Sequence, residues 1–471
     1  MHVTNFAGIR EADIELAPLT LFVGDNNSGK TYLSSLIWGL DDLPFWRFPL
    51  ENDLPHSLQS LLDGIGEVVS QTETERDFTV SQEVHDAILK SVNTYLQNEH
   101  VKCRWMAEIF GKDVSIGEVF LSIPYREGIS FFLKKRDNET RPVIRYEIRQ
   151  PKNSDSAVSY QSRVFSPRLG GTLTAQTILR MLTREYWKSC WGQYYYLQRK
   201  SFFPDSRNGL LLANPSIVKD LKGSLRLRRF LRPYQFTAPQ TQFVIGLDEV
   251  TQAAKNSLFP SQDVIRKMGR IYYDGRVVDI VAFIEKEMIG GAVIASDASL
   301  PELLYQPENS AIKFSMNISS GVITSIAPIL ASLKYGNIGN RCFIDEPEIS
   351  LHPALQRQMA QVLVRLANSI GFVLVSTHSD IITQHVNNMI KLSNRSDIES
   401  LLKEYDYDHK DVISADKVRM YQFEKPAGSF TDVKPLEHGV NGFRLPTFGK
   451  VFRKMQDETW NLRIEKEEAK P

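Results

Sequence analysis

Apolar residues are densely patterned in the first 40 positions of this chain, lose their period after Asp41 and regain it after Asn317. Phe6 to Leu16 reads as strand and turn, and the apolar run Leu19 to Val23 suits a short buried strand. A polar, glycine-bearing octapeptide follows. Leu33, Leu36, Ile37 and Leu40 then recur at helical spacing within Tyr32 to Leu40. From Asp41 to Arg199 there is no repeat and no strong motif; Ser81 to Gln97 predicts a helix and Lys134 to Glu139 a polar turn. Phe243 to Glu287 reads as largely helical through Val264, Met268, Val278, Ile280, Phe283 and Ile284, with strand-like runs at Gly291 to Ala295 and Ala311 to Met316.

Beyond Asn317 the pattern predicts a helix over Gly321 to Leu333, a strand over Arg341 to Ile344, a helix over Pro353 to Ile370 and a strand over Phe372 to Ser376. Strands alternating with helices imply an α/β layer with parallel strands. The tail after Asp397 adds a strand-like run, Val418 to Phe423, and a charged helical end. The expected organisation is an α/β ATPase-type core in two pieces, 1–40 and 291–396. A mainly helical insertion or lid (41–199) interrupts it, with a basic helical segment (200–290) and a C-terminal segment (397–471).

Length and composition set outer bounds. A chain of 471 residues exceeds one ordinary small domain, and its 42% hydrophobic and 24% charged content is that of a globular protein. The apolar run Met288 to Ala295 stops after eight residues, short of a membrane span, so no membrane association is expected. No secretion signal is read at the N-terminus. Three scattered cysteines (Cys103, Cys190, Cys342) exclude a disulfide framework or CxxC metal site and fit a reducing cytoplasm. The 56 basic and 56 acidic residues cancel, but unevenly: Asp41 to His100 carries 12 acidic against 3 basic residues, and Arg180 to Arg232 the reverse, 12 basic against 3 acidic. Such asymmetry reads as opposed interaction faces, as one subunit's acidic face meeting another's basic face, or as two solvated surfaces.

Four motifs carry chemistry. Gly24-Asp25-Asn26-Asn27-Ser28-Gly29-Lys30-Thr31 matches G-x-x-x-x-G-K-[ST] between a strand and a helix. Backbone amides of Gly24, Asn26, Asn27, Ser28 and Gly29 can close around phosphates at a helix N-terminus. Lys30 reaches the β- and γ-phosphates, and the Thr31 hydroxyl ligates magnesium. Cys342 to Pro347 is an apolar strand ending in two carboxylates. Asp345 would hold magnesium, directly or through water, and Glu346 would orient the attacking water. Alone it also reads as an ordinary turn. His378 ends the next strand, 32 residues after Glu346, where it can contact a γ-phosphate or serve as a capping or buried hydrogen-bonded histidine. Ser319-Ser320-Gly321 begins a helix, 26 residues before Asp345 counted from Ser319. It is an anion site or a plain serine N-cap.

In this order the four motifs resemble those of the ATP-binding-cassette ATPases, and within them the SMC/RecF/OLD-like branch. Asn5-Phe6-Ala7-Gly8-Ile9 with Leu16-Ala17-Pro18-Leu19-Thr20 is similar to that branch's N-terminal hairpin. So are Asp345-Glu346-Pro347-Glu348 through Leu351-His352-Pro353, and Ser376-Thr377-His378-Ser379. The Ser-Ser-Gly signature with its following Pro328 departs from the Leu-Ser-Gly-Gly-Gln of transporters. Phe203 to Leu210 resembles a Pro-Ala-x-Arg-x-Gly element of standalone bacterial ATPases in this group.

The resemblance implies a magnesium-dependent ATPase, with ATP and Mg2+ as ligands. Two copies would face head to tail, residues 24–31 of one and Ser319, Ser320 and Gly321 of the other enclosing each ATP. Higher homo-oligomers are also implied. No long heptad arms and no Toprim or His-rich nuclease pattern are visible. The reading is therefore an ATPase subunit with a separately encoded effector, as in two-gene anti-phage systems. It most resembles the AriA-type ATPases of PARIS systems, whose family partner is a Toprim-type nuclease, with a phage protein as trigger. Lys219, Lys222, Arg226, Arg228, Arg229 and Arg232, with Phe230 and Tyr234, can bind nucleic-acid phosphates or an acidic protein, or form a solvated helix. The rival readings are a RecF-like DNA-repair ATPase and an ATP-binding scaffold that seldom hydrolyses.

Overall fold

The computed structural model describes residues 1–40, 43, 55–71, 75–138, 141–149, 160–165, 174–190, 200–213, 217, 236–255, 275–298, 301–335, 338–426, 429–439, 442–444 and 450–462. Its centre is a nine-stranded mixed sheet. The spatial order is Val119–Phe120, His2–Phe6, Ile9–Asp13, Thr431–Pro435, Val418–Glu424, Leu19–Gly24, Phe372–Thr377, Arg341–Asp345 and Lys200–Phe203. The last five run parallel, whereas antiparallel pairs join Val418–Glu424 to Thr431–Pro435, the two strands of the N-terminal hairpin to each other, and that hairpin to Val119–Phe120. Helices cover both faces, the arrangement that near-continuous apolar strands require.

Strand alternation sorts the core into two layers. Leu21, Val23, Cys342, Ile344, Val373 and Val375 enter one apolar cluster with the helices Gly321–Lys334, Pro353–Ile370 and Asp380–Leu392. Phe22, Phe343, Leu374 and Phe423 enter the other, with the helix Lys30–Gly39 and much of the insertion. Each large side chain so buried contributes about 1.5–3 kcal/mol.

Val418–Glu424 lies against Leu19–Gly24, with Phe423 opposite Gly24, and Lys200–Phe203 pairs with Arg341–Asp345. The sheet thus draws strands from segments that the sequence separates into a basic region and a C-terminal region. The same burial revises the charge reading. Lys200 and Arg207, counted in the basic excess, are buried at 9% and 0% exposure and belong to no docking face. The basic residues from Lys219 to Arg232, with Phe230 and Tyr234, lie outside the described residues.

The described insertion is built from the helices His56–Ser70, Gln82–Gln97, Glu99–Phe110 and Ala175–Cys190. The sequence did not foresee its four-stranded antiparallel sheet, Glu75–Thr79, Ser130–Asn138, Arg141–Arg149 and Tyr160–Phe165. Residues 134–138, read as a turn, are instead paired strand, with Lys134 opposite Arg145 and Asn138 opposite Arg141. An antiparallel ribbon tolerates polar side chains, which removes the apolar signal. The insertion and the sheet strand Lys200–Phe203 together lock the far end of the helix Lys30–Gly39. Trp105 Nε1 donates to Gly39 O at 3.2 Å, Trp187 Nε1 to Leu40 O at 3.1 Å, and Lys200 Nζ to Trp38 O at 2.7 Å. Three carbonyls orphaned at a helix C-terminus are thereby satisfied inside the core. No helix among the described residues is long and apolar enough to cross a membrane.

Candidate functional site

The loop 24–31 leaves the C-terminal end of its strand and turns straight into the helix Lys30–Gly39. Three residues take left-handed backbone: Gly24 (φ 133°), Asn27 (φ 58°) and Gly29 (φ 91°). A Cβ on Gly24 would stand 2.0 Å from Phe423 O, so no side chain fits there. Ser28 Oγ donates to Asp25 O at 2.7 Å and tightens the loop. Lys30 Nζ folds back onto Gly24 O (3.0 Å), Asp25 O (2.6 Å) and Ser28 Oγ (3.2 Å), and burial lowers its pKa to about 8. The carboxylates of Glu346, Asp25, Glu348 and Asp345 oppose that shift, which places the acidic end of the strand Arg341–Asp345 within electrostatic reach of the lysine. Asn26, Asn27 and Thr31 are exposed.

Asp345 ends its strand fully buried. Its Oδ1 accepts from Ser376 Oγ at 2.5 Å, while Oδ2 has no hydrogen-bond partner among the described residues. Desolvation raises the carboxyl to about 7, partly opposed by the Ser376 bond. A buried, unpaired carboxylate oxygen beside a phosphate loop fits a hard divalent cation, with Asp345 and Thr31 as the residues that would hold it.

Glu346 adopts φ 45°, left-handed for a residue with a side chain, and this strain is of order 1–3 kcal/mol. The neighbouring strand holds it: Glu346 N donates to Ser376 O at 2.8 Å. The turn aims its carboxylate at His378, Oε1 lying 3.3 Å from His378 Nε2. That bond to His378 lowers the Glu346 pKa, keeping the group ionised at neutral pH.

His378 is in turn fixed by a residue to which the sequence reading gave no role. Glu348 Oε1 accepts from His378 N at 2.6 Å and from Thr377 Oγ1 at 2.8 Å. Arg207 was likewise left without a role. It is fully buried and donates to Asp345 O at 2.8 Å and Glu346 O at 3.0 Å. Both stand in runs that the sequence does mark, Asp345 to Pro353 and Phe203 to Leu210, so the signal was the run and not the residue.

Lys30, Asp345, Glu346 and His378 therefore converge on one sheet edge. Ser319, Ser320 and Gly321 do not join them through any hydrogen bond among the described residues. Ser320 caps the helix Gly321–Lys334 through Ile323 N (3.4 Å), and Ser319 Oγ donates to Ser315 O (2.9 Å). The segment faces outward: Ser320 and Gly321 are exposed, and the apolar Ile318 beside them is 73% exposed.

Residues 247–383 match the family model of the AAA ATPase domain. This span holds Ser319 to Gly321, Asp345, Glu346 and His378, leaves out residues 24–31, and is under a third of the chain. No curated protein matches the sequence. Among solved structures, an SMC head bound to the C-terminal winged-helix domain of ScpA aligns over 93% of this chain and 97% of its own, at 10% identity and TM-score 0.36. The Pyrococcus furiosus SMC head with an extended coiled coil, bound to the C-terminal domain of ScpA, aligns over 97% and 98%, at 11% identity and TM-score 0.32. The Thermotoga maritima SMC head domain aligns over 93% and 97%, at 10% identity and TM-score 0.29. Likeness this distant carries no information on activity or partners.

Proposed function

We propose that this protein binds and hydrolyses ATP at the sheet edge formed by residues 24–31, Asp345, Glu346 and His378. The site is completed by Ser319, Ser320 and Gly321 of a second copy. The observation that carries the reading is the convergence of a phosphate loop with an ionised Glu346, held in a left-handed turn and paired with His378. The loop amides and Lys30 bind the β- and γ-phosphates, replacing the carbonyls that Lys30 now contacts. Magnesium, when bound by Asp345 and Thr31, neutralises phosphate charge. The Glu346 carboxylate orients a water and accepts its proton as the water oxygen bonds to the γ-phosphorus. The bond to the β,γ-bridging oxygen breaks, leaving ADP and inorganic phosphate. His378 holds the carboxylate in line and reaches the γ-phosphate side of the site. The exposed signature and Ile318 supply a surface for the facing subunit.

Glu346→Gln tests this reading. It retains ATP binding and hydrolyses magnesium-ATP at least ~10²-fold more slowly, the lower end of what a positioned base is worth. Turnover near wild type would remove Glu346 from the mechanism.

The finer reading is an AriA-type ATPase of an anti-phage system, cytoplasmic and oligomeric. It holds a separately encoded effector, a Toprim-like nuclease, and releases it to a phage trigger. Motif order and the Phe203 to Leu210 element support it. Co-purification with the product of the neighbouring gene is the expected result. DNA-stimulated turnover without such a partner would favour the RecF-like reading instead.

A further inference from the structure

Arg207 makes no hydrogen bond to the loop 24–31 among the described residues, yet all five of its N–H donors are engaged. Nε donates to Ser325 O (3.0 Å). Nη1 donates to Pro204 O (3.2 Å) and Asp345 O (2.8 Å), and Nη2 to Ser325 Oγ (2.9 Å) and Glu346 O (3.0 Å). The partners are four carbonyls and a hydroxyl; no carboxylate is among them. The charge is therefore not spent on a salt bridge, and the carboxylates of Glu348, Asp345, Asp205 and Glu346 offset it at longer range.

The identity of these partners is the informative part. Asp345 and Glu346 are the two adjacent acidic residues of the turn that ends the strand Arg341–Asp345, and Ser325 lies one turn into the helix that Ser320 caps. One buried side chain thus joins the signature helix to the turn that carries the base. Glu346 sits there in a backbone conformation that residues with side chains adopt only when held. Its hydrogen bonds to Ser376 O through its N–H and to Arg207 through its carbonyl grip both sides of that residue.

We propose that Arg207 is a positioning residue, clamping the Asp345 and Glu346 carbonyls to the signature helix so that the Glu346 carboxylate is aimed only while that helix is seated. The inference rests on the reading of Glu346 as the water-orienting base. In the facing-subunit arrangement it gives the signature helix, which touches the other nucleotide, a rigid path to its own hydrolytic turn.

Ser325→Ala removes one acceptor and leaves Arg207 its four carbonyls. In magnesium-ATP turnover kcat falls roughly 5-fold or more while KM stays within about twofold, because the interaction acts on the aim of the base and not on ATP binding. Arg207→Lys keeps the charge but loses the planar fork, and falls further, on the order of 100-fold. Should Arg207→Lys fail to fold, Ser325→Ala decides alone. The separating readout is a double-mutant cycle: in a Glu346→Gln background, Ser325→Ala changes turnover by less than about twofold. An equal loss in both backgrounds, or a drop in thermal stability and a rise in KM with kcat unchanged, overturns the positioning role. If Glu346→Gln is slow but Ser325→Ala turns over normally, the role of Arg207 fails alone. If Glu346→Gln itself turns over normally, the base assignment fails and this inference with it.

Discussion

Replacing Gly24 with alanine tests the phosphate loop at its tightest point. The new Cβ would lie 2.0 Å from Phe423 O and 2.9 Å from Phe423 C, both backbone atoms of the paired strand. Ordinary contact is beyond 3.4 Å, so the loop and the strand must separate by more than an ångström. That separation breaks the Asp25 N to Phe423 O hydrogen bond, now 3.3 Å. The backbone at φ 133° adds its own penalty for a residue with a side chain. Strain of about 1–3 kcal/mol and overpacking of about 1–3 kcal/mol together give at least ~2 kcal/mol. If the loop relieves this by leaving its phosphate-binding shape, ATP affinity falls at least ~30-fold. Equilibrium binding of a fluorescent ATP analogue measures it. Gly209→Ala is the control, since its Cβ meets nothing within 4 Å, and it binds as wild type does. Wild-type affinity in Gly24→Ala would refute the reasoning, because the loop would then not need the shape it has.

Lys30→Ala abolishes measurable ATP binding, since the loop loses the cation that meets the β- and γ-phosphates; isothermal titration showing wild-type affinity would sink the P-loop assignment. Trp105→Phe leaves Gly39 O, at the end of the P-loop helix, without its indole donor, at a cost of about 1–3 kcal/mol. It is expected to lower the urea midpoint, and an unchanged midpoint would show that the bond contributes nothing.

Local chemistry was legible in the sequence where neighbours along the chain decide it. The octapeptide from Gly24 to Thr31 needs only a strand before it and a helix after it, and both are present. The helix Pro353–Ile370 falls where its apolar period and its flanking Pro353 and Gly371 put it. Pairing at a distance was not legible. Val418–Glu424 reads as a strand, but nothing local says that it lies in parallel register beside Leu19–Gly24, some 400 residues away. Lys200–Phe203 is too short to show a period. Arg207 shows a different failure. Counting charge along the chain treats arginine as solvated, whereas its five bonds to carbonyls and a hydroxyl hold it in the core, beyond the reach of composition.

The central claim is that each ATP is enclosed by two copies, and mixing two inactive variants tests it most directly. Lys30→Ala lacks a working P-loop but keeps its signature. Ser320→Arg blocks the exposed signature but keeps its P-loop. A heterodimer of the two contains one complete site, formed by the P-loop of the Ser320 variant and the signature of the Lys30 variant. The account predicts that the mixture recovers magnesium-dependent ATP hydrolysis that neither variant shows alone. Heterodimers that demonstrably form and recover no activity would contradict it.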